Sequence, residues 1–286
     1  MTVKLVTASA VARSAAFDPD APAPPRFRVG SPFDALDIRP GRVVLIGAPP
    51  AKGKTALVVQ LTAGALQHNP DLHAVVANVE MPPADLLAKI AARLAGVPVD
   101  HIMEKTYTGT EKDRVKQTIA AHAHLLERLA FLEPPYCIDH IAEALDEFPA
   151  NLAVVDYVQR FAHGIDLRQS IDGLMTGLRR LASAGAAVVA VSSVSRQKDD
   201  KGRSGYDGLN MASFRGSAEL EFGADSAYLL EASDGAAVLR CVKNRFGKPA
   251  DIHLRFAGEF QRYDAGDPFD AFDAVPGTPK PKGKKT

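Results

Sequence analysis

RVVLIGAPPAKGKTALVV, residues 42–59, decides the fold. A β-branched apolar run at 43–46 closes on Gly47, and Ala48-Pro-Pro-Ala-Lys-Gly-Lys54-Thr55 then opens directly into an Ala/Leu/Val-rich helix. Strand, loop and helix in that order are what a phosphate-binding loop requires, because the loop amides and the helix N-terminus converge on one anion. Gly53 lets the backbone approach closely, Lys54 is placed to reach the β and γ phosphates, and Thr55 offers its hydroxyl to Mg²⁺. The nucleotide-binding set is therefore Ala48, Pro49, Pro50, Ala51, Lys52, Gly53, Lys54, Thr55 and Ala56, with ATP and Mg²⁺ as the expected ligands. Ala48 departs from the usual pattern, which has Gly there.

Outward from this loop, apolar runs at 43–46, 74–79, 152–155 and 187–191 are nearly continuous, as in parallel strands covered on both faces. Helical periods occupy 55–66, 83–94, 112–129 and 171–184. Such alternation predicts an α/β fold, a doubly wound, mostly parallel sheet. Runs at 226–230, 237–242 and 251–256, joined by turns at Ser233-Asp234-Gly235 and Phe246-Gly247-Lys248-Pro249, predict antiparallel strands added at the C-terminal edge.

The chain has 286 residues, 46% hydrophobic and 24% charged, which suits one sizeable domain with tails. Residues 18–25 are proline-rich and 276–286 basic, so the reading is an arm at 1–29, a nucleotide-binding domain at 30–264 and a tail at 265–286. Lys plus Arg and Asp plus Glu balance at 34 each, so binding to nucleic acid must come from a local patch. Cys137 and Cys241 fit no disulfide or metal spacing and are read as reduced core residues. No apolar stretch has membrane-span length and no signal peptide is evident, so a cytoplasmic location is expected.

Two carboxylates follow apolar runs. Asp156 ends 152–155, where a doubly wound sheet gathers its ligands, and can face the metal held by Thr55. Glu80 follows 74–79 in the same way, placed to hold an attacking water, although Pro82 and Pro83 also mark it as a residue before a helix start.

Taken together, 30–260 resembles the C-terminal motor domain of the DnaB-type replicative helicases, a RecA-like fold that assembles as a hexameric ring. Ala48-Pro-Pro-Ala-Lys-Gly-Lys-Thr-Ala56 is similar to that family's phosphate loop, which likewise carries Ala in place of Gly. Asn78-Val-Glu-Met81 resembles its Leu-Glu-Met segment, which implies that Glu80 is the catalytic base, and Val155-Asp-Tyr-Val-Gln159 resembles its Asp-Tyr-Leu-Gln strand end. The segment from Phe214 to Asp225 resembles one that supplies a DNA-contacting loop and helix, implying DNA contacts from Arg215 and Gly216. Lys243-Asn-Arg245 is similar to an element whose two cations enter the neighbouring subunit's ATP site.

Two departures stand out. Ser193 occupies the place of a γ-phosphate-sensing Gln, and only a short arm precedes the motor where the family has an N-terminal domain and linker helix. The loop 196–210 is glycine-rich and charged, and its Lys201 and Arg203 are candidate contacts to a DNA backbone. Asp267-Pro-Phe-Asp-Ala-Phe272 is a candidate docking peptide for another replication protein. The expectation is an ATP-driven helicase on single-stranded DNA, with a RecA-like ATPase that does not unwind, or a nucleotide-dependent scaffold, as alternatives.

Overall fold

The computed structural model describes residues 5–14, 17–22, 25–162, 166–198, 204–206, 208–214, 218–233 and 235–267. Its strands are β1 (Val43–Ala48), β2 (Ala74–Asn78), β3 (Leu129–Phe131), β4 (Leu152–Asp156), β5 (Ala187–Ser193), β6 (Gln197–Lys198), β7 (Ser204–Gly205), β8 (Ser226–Ser233), β9 (Ala236–Asn244), β10 (Ile252–Ala257) and β11 (Arg262–Ala265). The helices are α1 (Ala8–Ala12), α2 (Lys54–His68), α3 (Pro83–Ala95), α4 (Val99–Glu104), α5 (Gly109–Ala121), α6 (Ala123–Leu126), α7 (Ile138–Glu147), α8 (Val158–Phe161), α9 (Leu167–Ser183) and α10 (Ala218–Gly223).

Nine strands form one sheet in the order β11-β10-β9-β8-β1-β5-β4-β2-β3, with β6 and β7 in a separate ribbon. Alternate side chains of the central strands enter two cores. Val44, Ile46, Val76, Val154 and Val189 meet residues of α2 and α3 on one face, while Val43, Leu45, Val75, Val155 and Val188 meet α7 and α9 on the other. This is why the strands read as unbroken apolar runs: neither face is left to water.

The segment before β1 is part of the packing. Phe27, Val29, Phe33, Leu36 and Ile38 are buried against α2, and a Cβ at Gly64 would come within 2.1 Å of the Val29 carbonyl oxygen. Only a residue without a side chain fits that crossing.

The structure corrects two expectations and bears out a third. The helical period at 112–129 is not one helix: α5 ends at Ala121, α6 adds a turn, and Leu129–Phe131 is the edge strand β3, parallel to β2. No residue of α5 is buried, so its periodicity carried no core signal, and pairing with β2 overrode local preference at its end. The antiparallel strands expected at the C-terminal edge are present: β8, β9, β10 and β11 pair antiparallel in turn, the first turn running through Gly235, whose φ of +84° suits glycine, while β8 joins the rest of the sheet parallel to β1. Cys241 is buried as expected, but Cys137 is only half-buried, at the N-cap of α7; neither is in a disulfide. Among the described residues no helix is long and apolar enough to cross a membrane.

Candidate active site

β1, β5, β4 and β2 all end at one edge of the sheet, and the predicted nucleotide residues gather there. Ala48 is fully buried at the end of β1, beside Ser193 of β5 in the parallel register. After Pro49 and Pro50 the chain turns through Ala51 and Gly53, both at positive φ (58° and 77°), and α2 begins at Lys54. The amides of that curl and of the first turn of α2, which has no side-chain cap, form a concave cradle for an anion.

The loop rests on Tyr263, a residue that the sequence reading did not single out. Its hydroxyl donates to the carbonyls of Lys52 (3.1 Å) and Gly53 (3.3 Å), and its ring stacks on Phe256 at 4.3 Å. A Cβ at Gly53 would come within 2.2 Å of that hydroxyl, so space as well as backbone angle demands glycine. Buried Gln60 of α2 donates to the Tyr263 carbonyl (2.8 Å) and accepts from its N–H (2.7 Å), tying the helix to β11. Polar alternation in 262–265 is too short to declare a strand, so nothing in the sequence marks Tyr263 as a support of the loop.

Asp156 is the chemical centre of the edge. One carboxylate oxygen, Oδ2, accepts from the Thr55 hydroxyl (2.9 Å) and from the Asn78 amide (2.8 Å). The other, Oδ1, is buried and has no hydrogen-bond partner among the described residues. Burial pushes the carboxyl up to about 6; the Thr55 hydrogen bond and the Lys54 charge oppose this, Glu80 adds to it, and the Asn78 hydrogen bond opposes it. A buried carboxylate oxygen without a donor, beside a hydroxyl, fits a hard divalent cation that takes its remaining ligands from water and phosphate. No cluster of three or more His, Cys, Asp or Glu competes for that role among the described residues.

Asn78 also fixes the chain that follows. Its Oδ1 accepts from the N–H groups of Glu80 (2.9 Å) and Met81 (2.8 Å), turning the backbone out of β2 so that Glu80 stands exposed at the same edge. Lys54 lies 5.6 Å from the centroid of the Tyr157 ring. Ser193 is spanned by Gln159: the Gln159 amide donates to Ser192 Oγ (2.7 Å) and its carbonyl accepts from the Ser193 N–H (3.0 Å). Phe214 then bridges back to Val194, and a Cβ on Gly47 would come within 2.6 Å of its ring.

Lys243 and Arg245 are elsewhere. They close β9 at the opposite edge of the sheet, where Ser226 pairs with Asn244 and the Asp225 N–H donates to the carbonyl of Val43, the first residue of β1. The run of β1 separates Val43 from Ala48 by roughly 17 Å at the usual rise per residue. Arg245 donates to Asp225 (3.1 Å) and to the Phe222 carbonyl (3.0 Å), and the Lys243 ammonium donates to the Glu221 carbonyl. The DNA-contact candidates Lys201, Arg203, Arg215 and Gly216, and the peptide after Asp267, lie outside the described residues.

The family model for the DnaB-like helicase C terminal domain matches residues 34–265. Two solved structures share the fold at 17% identity each. "ATPase Domain of G40P" has a TM-score of 0.69 over 80% of this chain and 86% of its own. "The Structure Of A DnaB-Like Replicative Helicase And Its Interactions With Primase" has a TM-score of 0.72 over 85% of this chain and 63% of its own. The search of curated proteins finds no match. With a RecA-like sheet, a phosphate loop facing a buried carboxylate, and a family match spanning most of its length, the chain belongs to the DnaB-like helicase C-terminal domain family.

Proposed function

We propose that this chain is an ATP-dependent DNA helicase motor, hydrolysing ATP at the seams of a ring of identical subunits that encloses single-stranded DNA. The observation that carries the reading is the separation of charges: Lys54, Thr55 and Asp156 stand at one edge of the sheet and Arg245 at the other. A guanidinium roughly a strand's length from its own phosphate loop is out of reach of its own nucleotide, so a catalytic role for it requires a neighbour's. Hydrolysis then depends on assembly, since the charge that develops on the transferred phosphoryl needs a cation delivered in trans.

Each residue has a task in that reading. Lys54 and the amides of Gly53 to Ala56 hold the β and γ phosphates. Thr55 and Asp156, through its buried Oδ1, would hold Mg²⁺, which would neutralise phosphate charge when bound. Glu80, exposed beside that carboxylate, orients the attacking water. Lys243 and Arg245 complete the adjoining subunit's site, and Lys201, Arg203, Arg215 and Gly216 track the DNA backbone by charge rather than sequence.

A second reading, a RecA-like DNA-stimulated ATPase without unwinding activity, is favoured by one observation: Ser193 cannot reach as a Gln would, and Gln159 already occupies its N–H. Three measurements test the first reading: ATPase rate with and without single-stranded DNA, mass with a nonhydrolysable nucleotide, and strand displacement. DNA stimulation, a multimer and strand displacement together support it. A nucleotide-bound single chain with unstimulated turnover overturns it, and stimulated turnover without strand displacement selects the second.

A further inference from the structure

Asp225 is buried at the start of β8, its side chain only 3% exposed, and it collects bonds from three directions. Oδ2 accepts from the Val43 N–H of β1 (2.9 Å) and from Arg179 of α9; Oδ1 accepts from Arg245 (3.1 Å). Its carbonyl takes the Arg245 N–H at 2.9 Å, so one residue grips both the backbone and the guanidinium of Arg245. The rest of the turn is fastened to the same frame: the Arg42 guanidinium sits 3.1 Å from the centroid of the Phe246 ring, and Lys243 reaches the Glu221 and Phe222 carbonyls.

One carboxylate cannot neutralise two guanidiniums, so the cluster keeps a positive excess. Of the two, Arg245 is the more open to solvent, its side chain 45% exposed against 33% for Arg179. Lys243 brings a further positive charge, set against the Glu221 carboxylate; burial and then the Arg245 charge lower its affinity for a proton, while Asp225 and Glu221 raise it. Left free, a long arginine samples many rotamers; two bonds to fixed partners order it before any nucleotide arrives.

Resting on the reading that Arg245 serves a neighbouring subunit's nucleotide, we propose that Asp225 is a positioning residue. It holds the Arg245 guanidinium fixed at the sheet edge so that its open side meets the phosphates of an adjoining chain. Arg179 and the Val43 amide hold the Asp225 carboxylate in turn, so the aim of Arg245 is referred to β1, the strand whose far end carries the phosphate loop.

The experiment mixes full-length variants and reads steady-state ATPase with single-stranded DNA. Asp225→Asn keeps an acceptor for the Val43 amide while removing the charge. It is expected to lower kcat roughly 10- to 100-fold, as misplacement of a catalytic group does, with KM for ATP within about twofold of the parent. Mixed in equal amounts with Lys54→Ala, which has no working phosphate loop but an intact Arg245, it is expected to recover about a quarter of parental activity, the share of seams joining an intact loop to an intact arginine. Arg245→Ala mixed with Lys54→Ala is the reference. If the reference recovers and the Asp225→Asn mixture does not, or if Asp225→Asn alone turns over like the parent, the proposal is overturned. If the reference itself stays inactive, the seam reading falls and this inference with it. Should Asp225→Asn not accumulate as folded protein, Asp225→Glu, which keeps the charge but displaces it by one methylene, is read the same way.

Discussion

At the edge where β1, β5, β4 and β2 end, Asp156 keeps a buried oxygen without a donor among the described residues and Glu80 stands in solvent; at the opposite edge Asp225, equally buried, has both oxygens engaged. Both carboxylates cap a core strand, yet one is left short of partners and the other is saturated. The difference teaches which edge awaits something from outside. An unpaired buried polar atom costs about 1–3 kcal/mol, a penalty that a fold retains where a ligand relieves it. A saturated carboxylate that grips an exposed arginine is a mount, and what it mounts stands at the edge opposite the loop proposed to bind nucleotide.

The largest expected effects break that comparison at its two ends. Lys54→Ala removes the cation from the cradle and should abolish ATP turnover and any strand displacement. Arg245→Ala should leave ATP binding within a few-fold of the parent and reduce turnover by about 10³-fold or more, the scale seen when an arginine supplied in trans is lost. Equilibrium nucleotide binding and steady-state hydrolysis on both variants decide the matter. Should Arg245→Ala hydrolyse ATP at the parental rate, the far edge is no mount for catalysis.

The two edges were not equally legible in the sequence. The phosphate loop could be read because its residues are contiguous: a β-branched run, glycine where the backbone must curl, and Lys-Thr at the helix start all fall within residues 42–59. Asp156 was legible because an apolar strand ends in a carboxylate. The supports were not. Asn78 looks like the last residue of a strand, Gln60 like a polar interruption of an apolar helix, and Tyr263 like part of a tail, because their roles exist only across separations such as the 203 residues between Gln60 and Tyr263. Asp225 was hidden similarly: its partners are 182, 46 and 20 residues away, and no spacing rule connects them.

A middle-sized effect sharpens the account of the unsaturated edge. Asp156 has a folded-state affinity for protons raised to about 6 from the ordinary 3.8, so its charged form opposes folding. The penalty is full above pH 6, shrinks as pH falls toward 3.8 and is absent below it, because the folded chain then binds the proton more readily than the unfolded one. At pH 7.5 the neutral variant Asp156→Asn should therefore be more stable without ligand, by about 1–3 kcal/mol, the free energy of a shift of about two pH units discounted for lost hydrogen bonds. Turnover should be lost, because the metal-facing oxygen has lost its charge. A melting temperature that rises while hydrolysis disappears is the expected pair. A fall in stability would mean that the carboxylate is held for structure.

The smallest effect concerns the underside of the phosphate loop. Tyr263→Phe keeps the ring, its stacking on Phe256 and the backbone bonds to Gln60, and deletes only the hydroxyl that donates to the Lys52 and Gly53 carbonyls. Losing hydrogen bonds to two carbonyls that face the edge of the cradle should destabilise the chain by only about 1 kcal/mol. The same deletion frees the curl at Ala51 to Gly53, whose positive φ angles are held from below, so nucleotide should bind several-fold more weakly while kcat changes little. Arg245→Ala makes the opposite demand, a fall in kcat at nearly constant affinity. Affinity therefore belongs to the edge that holds the phosphates and rate to the edge that reaches across, and a Tyr263→Phe enzyme that lost kcat at unchanged KM would erase that division.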